Sequence, residues 1–125
     1  MFTHVMVGAN DLEASKKFYD AIMGTLGVGP AMGQSSRYFY VTKEGTFGIS
    51  TPINGEPACH ANGGTIGFKI ESTEQGDAWH AAGVANGGTA CEDTPGIREG
   101  AMGKMYLAYL RDPAGNKICV MKRMG

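Results

Sequence analysis

The sequence predicts an α+β fold built from two tandem copies of one strand–helix–hairpin unit. Three observations carry that prediction. Two segments with strand periodicity, residues 2–9 and 65–70, are each followed by a helix-capping residue and a helix-forming stretch. Each of those stretches stops at glycines, and two further strand-like runs joined by a turn follow it. Displacing the chain by 61 positions also sets His4 on Thr65, Glu13 on Glu74, Phe18 on Trp79, Ala21 on Ala82 and Gly27 on Gly88, which marks an internal duplication.

In the first unit, residues 2–9 alternate Phe2, His4 and Met6 with Thr3, Val5 and Val7, a strand with two unlike faces. Asn10 and Asp11 offer helix caps. Over residues 12–26, Leu12, Phe18, Tyr19, Ile22, Met23 and Leu26 form one apolar stripe, and Gly27-Val28-Gly29-Pro30 ends the helix. Those glycines do not form a phosphate loop, because they follow a helix instead of joining a strand to one. Residues 37–41 and 46–51 read as strands across Lys43-Glu44-Gly45. Module one therefore spans about 1–53, and a connector rich in Gly, Pro and Asn spans about 54–64. In module two, about 65–125, residues 65–70 form a strand and Ser72 or Thr73 caps a helix over 75–85 that ends at Asn86-Gly87-Gly88. Residues 93–100 read as a loop, and 104–111 pair with 116–122 around Asp112-Pro113-Ala114-Gly115-Asn116. With 125 residues the whole chain is one domain's worth.

Composition removes several function classes. Eleven Lys plus Arg against 12 Asp plus Glu give a net charge of −1 and a pI near 6.3, so neither a nucleic-acid partner nor an anionic membrane is expected. No apolar run approaches the roughly 20 residues of a membrane span, and the start, MFTHVMVGAND, is too short and polar for a signal peptide. Cys59, Cys91 and Cys119 are an odd set, widely spaced and without a CxxC. A disulfide scaffold or structural zinc site is therefore not expected, and a reducing cytoplasm is the expected compartment.

The segments Thr3-His4-Val5-Met6-Val7, Asn10-Asp11-Leu12-Glu13, Lys17-Phe18-Tyr19-Asp20 and Arg111-Asp112-Pro113-Ala114-Gly115-Asn116-Lys117-Ile118 resemble those of the vicinal oxygen chelate superfamily. That superfamily includes glyoxalase I, bleomycin-resistance proteins and extradiol dioxygenases. The resemblance implies two βαβββ modules whose sheets curl into one open cup with helices on the outer face, and a homodimer. Metal-dependent relatives hold a divalent ion on equivalent strands of the two modules. Here His4 stands at the first ligand position, but its counterpart is Thr65. Cys119 stands where a Glu usually follows Asn-Lys-Ile, and the matching place in the first hairpin falls near Gly48 or Ser50. This set is too poor in donors, so no metal or other cofactor is expected.

The remaining candidates are read around that cup. His4, with an ordinary pKa near 6.5, and Cys119 are the candidate catalytic pair. Tyr38, Tyr40, Ser50, Thr65, Arg98 and Tyr106 are the candidate substrate-binding residues. The tyrosines, with Tyr109, bring aromatic area and hydroxyls to the hairpins, and Arg37, Arg98 and Arg111 are possible anion partners. A lyase-like enzyme acting on a small organic molecule in the cup is the favoured reading. The alternative is a non-catalytic, drug-sequestering protein of the bleomycin-resistance type.

Overall fold

Both helices start at a side chain that caps them. In the computed structural model, which describes residues 1–125, Asp11 accepts the Ala14 amide at 3.0 Å and opens α1 (Leu12–Thr25). Ser72 accepts the Gln75 amide at 3.1 Å and opens α2 (Thr73–Ala85). Gln75 reaches back in turn, its Oε1 accepting the amide of Glu71, the residue before the cap, at 2.7 Å. The two caps are 61 positions apart, the offset read from the sequence. Past the helix ends, Gly27 (φ 80°) and Gly87 (φ 100°) take up the left-handed conformation that lets the chain turn away.

Each helix bridges two parallel strands, as a parallel pair requires. The first sheet has the order β1 (His4–Gly8), β4 (Gly45–Ser50), β3 (Arg37–Thr42), β2 (Met32–Gln34). The second runs β5 (Ile66–Lys69), β9 (Lys117–Met124), β8 (Gly103–Arg111), β6 (Thr89–Ala90), with β7 (Gly96–Gly100) also pairing β8. Within each sheet only β1 with β4 and β5 with β9 are parallel. No strand pairs across the two sheets, so the two-module cup stays unclosed and β1 and β5 are edges.

Three short strands depart from the sequence reading. Strands β2, β6 and β7 are not predicted, and β7 replaces part of the loop expected over residues 93–100. Their own residues, Met32-Gly33-Gln34 or Gly96-Ile97-Arg98-Glu99-Gly100, have weak strand propensity. A well-formed neighbour recruits them, as when Gly96 through Gly100 pair with Leu107 back to Gly103.

Strand alternation gives each sheet a helix side and an open side. On the helix sides, Phe18, Tyr19, Ile22 and Met23 of α1 pack with Tyr40, Phe47 and Ile49 of the first sheet. Trp79 of α2 packs with Tyr106, Leu110, Ile118 and Val120 of the second, all within one continuous core. Phe47 meets Phe68 edge-on at 5.3 Å between ring centres and joins the two halves. Helix α2 lies close because it offers glycine where a side chain would collide. A Cβ at Gly76 would overlap the Tyr106 ring, and one at Gly83 would overlap Leu110 Cδ1.

The turn between β8 and β9 is a polar knot tying the modules together. The buried Asp112 carboxylate accepts the Tyr19 hydroxyl at 2.6 Å, and the Ala114 and Asn116 amides and Asn116 Nδ2 at 2.9 Å each. Asn116 Nδ2 also donates to the Gly8 carbonyl at 2.9 Å. Asp112 and Asn116 are 4% and 7% exposed, and this degree of bonding is what permits their burial.

Candidate binding site

The open sheet faces follow from register. In the first sheet Met6 stands beside Gly48, and Gly48 beside Phe39. A Cβ at Gly48 would overlap the Met6 side chain and press on Phe39, so the glycine makes room for both. In the second sheet Gly67 stands beside Cys119, and Cys119 beside Tyr109. Above that row, Lys117 Nζ lies 5.0 Å and Arg98 Cζ 5.5 Å from the centre of the Tyr109 ring. Lys117 pairs with Glu92, and Arg98 Nε lies 3.9 Å from Asp93 Oδ2.

Three of the expected substrate contacts lie elsewhere. Tyr38, Tyr40 and Tyr106 are on the helix side, where their hydroxyls donate to Glu13 at 2.8 Å, Asp20 at 2.7 Å and Asp77 at 2.6 Å. Burial and the acidic partners push the Tyr40 and Tyr106 hydroxyls far above their ordinary range. They tie helices to sheets and face away from the open sheet faces, although Tyr40 also borders the cleft beside His4. Ser50 is on the open face at the end of β4, donating to the Thr51 carbonyl at 2.7 Å. Thr65, just before β5, borders a polar recess with Arg111 and Lys117. Arg98 belongs to β7, and its Nη2 donates to the Asp93 and Thr94 carbonyls at 3.0 and 3.2 Å.

His4 is exposed, with Nδ1 2.8 Å from Thr3 Oγ1. It lies at an apolar cleft of about 320 Å³ beside β1 and β5, with Phe2, Ile66, Phe68 and Lys69. Cys119 is not among the residues of that cleft. Phe39 and Lys117 are open-face residues outside the candidate set, and Tyr109, named only with the hairpin aromatics, joins them there. A signal for one of them existed: Tyr106 and Tyr109 are an odd number of residues apart, so a single strand must put them on opposite faces.

A family model described as the Glyoxalase/Bleomycin resistance protein/Dioxygenase superfamily matches residues 1–120. The chain belongs to this superfamily. It is 68% identical to a solved glyoxalase/bleomycin resistance protein from Albidiferax ferrireducens T118, covering 98% of this chain and 99% of that one with a TM-score of 0.96. A glyoxalase-related enzyme from Fulvimarina pelagi shares the fold at 18% identity and TM-score 0.74, covering 97% of this chain and 86% of that one. Lactoylglutathione lyase from Agrobacterium tumefaciens does so at 20% identity and TM-score 0.67, with 97% and 92% covered. No curated protein matches the chain.

In the superfamily's frame, the module offset makes Met6 the counterpart of Gly67. Their cross-strand partners, Gly48 and Cys119, are then counterparts too. The positions that the resemblance marks for metal ligands are His4, Thr65, Cys119 and, in the first hairpin, Gly48 or Ser50, of which Gly48 is the register counterpart of Cys119. They supply one imidazole and one thiol, and no three His, Cys, Asp or Glu side chains of the chain form a group that would hold an ion. These residues do not fit a divalent metal, which needs three or four such donors.

Cys119 is also poorly suited to attack. It is 7% exposed, and burial pushes its thiol up to about 11. A raised value means less thiolate: from the ordinary 9.0, the fraction ionised at neutral pH falls about a hundredfold. At pH 7.5, iodoacetamide is therefore expected to label the exposed Cys59 and leave Cys119 unmodified until the pH approaches 11 or the protein unfolds. Peptide mapping reads both sites, and rapid labelling of Cys119 at pH 7.5 would contradict the burial.

Proposed function

We propose that this superfamily member binds a small organic molecule on its open sheet faces and releases it unchanged, as a binding protein of the bleomycin-resistance type. The observation that carries this reading is the poverty of donors at the positions the resemblance marks for ligands, His4, Thr65, Cys119 and Gly48 or Ser50, with the Cys119 thiol buried and its ionisation pushed up. The sequence alone favours lyase-like chemistry. The position of Cys119 outside the His4 cleft, and its raised thiol, shift the balance to binding. The open faces suit a ligand of this kind, since Met6, Phe39, Leu107, Tyr109 and Met121 offer apolar and aromatic area, with cations beside Tyr109 to orient it. A second copy of the chain suits the two sheet edges, β1 and β5, whose free backbone groups invite pairing.

The test mixes purified protein with a panel of aromatic and α-oxo compounds, with and without Ni, Zn, Mn or Fe. Melting temperature and the mass of ligand recovered after denaturation are read. A ligand that raises the melting temperature and returns intact, unaffected by metal, is the expected result. Conversion of the ligand with stoichiometric metal retained, abolished in His4→Ala, would instead establish a lyase-like enzyme.

A further inference from the structure

Beside the second sheet's open face is a polar recess of about 140 Å³ lined by His60, Asn62, Thr65, Arg111 and Lys117 together with the small residues of the connector turn. Arg111 and Lys117 are direct cross-strand partners at the end of the β8–β9 hairpin. Their side chains share the face that carries Tyr109 and Cys119, two residues further along each strand. Like charges directly opposite one another weaken a sheet, so this pairing costs stability unless something negative sits between them. Glu92 answers Lys117. Nothing answers Arg111: it is half-buried, makes no ion pair, and its one hydrogen bond runs from Nη1 to the Gly115 carbonyl at 2.8 Å. A guanidinium has five N–H donors in a planar fork suited to an oxyanion. Thr65 adds a hydroxyl at the rim, and His60 lines the recess from the connector, close enough that a Cβ at Gly115 would touch its ring.

The strip leading away from the recess is apolar and shallow. Gly67 lacks a side chain beside Cys119, and Tyr109 flanks the thiol on the other side. We propose that the recess holds the carboxylate or phosphate group of the bound molecule through Arg111, Lys117 and Thr65, while an aromatic or apolar body lies over Gly67, Cys119 and Tyr109. This names the class of ligand for the function proposed above and rests on that reading. It makes the ligand an anion, the opposite of a cationic drug.

Calorimetric titration separates the two claims. The probes are inorganic phosphate, benzoate, phenyl phosphate and uncharged benzyl alcohol, each against wild type, Arg111→Gln, Thr65→Val and His60→Ala. Phenyl phosphate or benzoate is expected to bind wild type at least tenfold more tightly than benzyl alcohol. Arg111→Gln is expected to remove at least tenfold of that affinity, and Thr65→Val several-fold. Saturation by inorganic phosphate as tight as by phenyl phosphate would assign the recess to free phosphate, and tighter benzoate would assign it to a carboxylate. The exposed positions 60 and 65 keep the test informative if Arg111→Gln, by losing the Gly115 contact, fails to fold. Benzyl alcohol binding as well as either anion would overturn the anion site and leave the binding function standing. No binding of any probe would overturn the anion site, and intact recovery of another ligand would still uphold the function. Unchanged anion affinity in every folded variant would overturn the placement at Arg111 and Thr65.

Discussion

Asp112→Ala is expected to lower stability by about 3–5 kcal/mol, the largest loss from any single polar substitution in this chain. The carboxylate accepts four hydrogen bonds in a buried turn. Its removal strands the hydroxyl of Tyr19, a residue with no exposed surface, and leaves the Asn116 amide groups short of acceptors. Each stranded buried group costs about 1–3 kcal/mol, because water cannot reach it as it does in the unfolded chain. Asp112→Asn keeps one acceptor oxygen and the shape of the turn, so its loss should be about half as large. Urea unfolding followed by circular dichroism measures both. A midpoint for Asp112→Ala within error of wild type would show that the knot contributes nothing to the joining of the modules.

Gly83→Leu should cost about 3 kcal/mol, against the direction of helix propensity. On propensity alone, replacing a helical glycine gains close to 1 kcal/mol. At this position an added Cβ meets Leu110, then Phe18 at 3.2 Å and Ile22 at 3.3 Å. All three are fully buried, so none has room to withdraw. The rest of a leucine must then push α2 away from α1 and from β8. Thermal unfolding of Gly83→Leu beside the exposed control Gly24→Leu, where nothing lies within 4 Å of an added Cβ, isolates the packing. Equal or higher stability for Gly83→Leu would mean the helices tolerate a wider spacing than their contacts imply.

Much of this architecture was legible from short-range signals. Asp11 and Ser72 cap, Gly27 and Gly87 stop, and the Asp112–Asn116 turn closes a hairpin, each through bonds within a few residues. The caps recur 61 positions apart and the glycine stops within one residue of that offset, which revealed the two modules. The face chosen by each aromatic was not legible in the same way. Tyr38, Phe39 and Tyr40 are consecutive, and only the neighbouring strand, with Gly48 beside Phe39, decides that the tyrosines turn to α1. Strands β2, β6 and β7 escaped because their partner creates them. The recess at Arg111 escaped because it joins a connector, residues 60–65, to a hairpin nearly 50 positions later.

The knot at Asp112 has a kinetic side. Its bonds span 93 positions from Tyr19 and 108 from Gly8, and β9 lies between β5 and β8. Until the ribosome has made Asp112, the Tyr19 hydroxyl has no partner, and until it has made Lys117–Met124 the second sheet lacks a strand from its middle. Contacts this distant in sequence make folding slow. Translation thus delivers a chain whose two halves wait, apolar sides uncovered, for one late hairpin to fasten them.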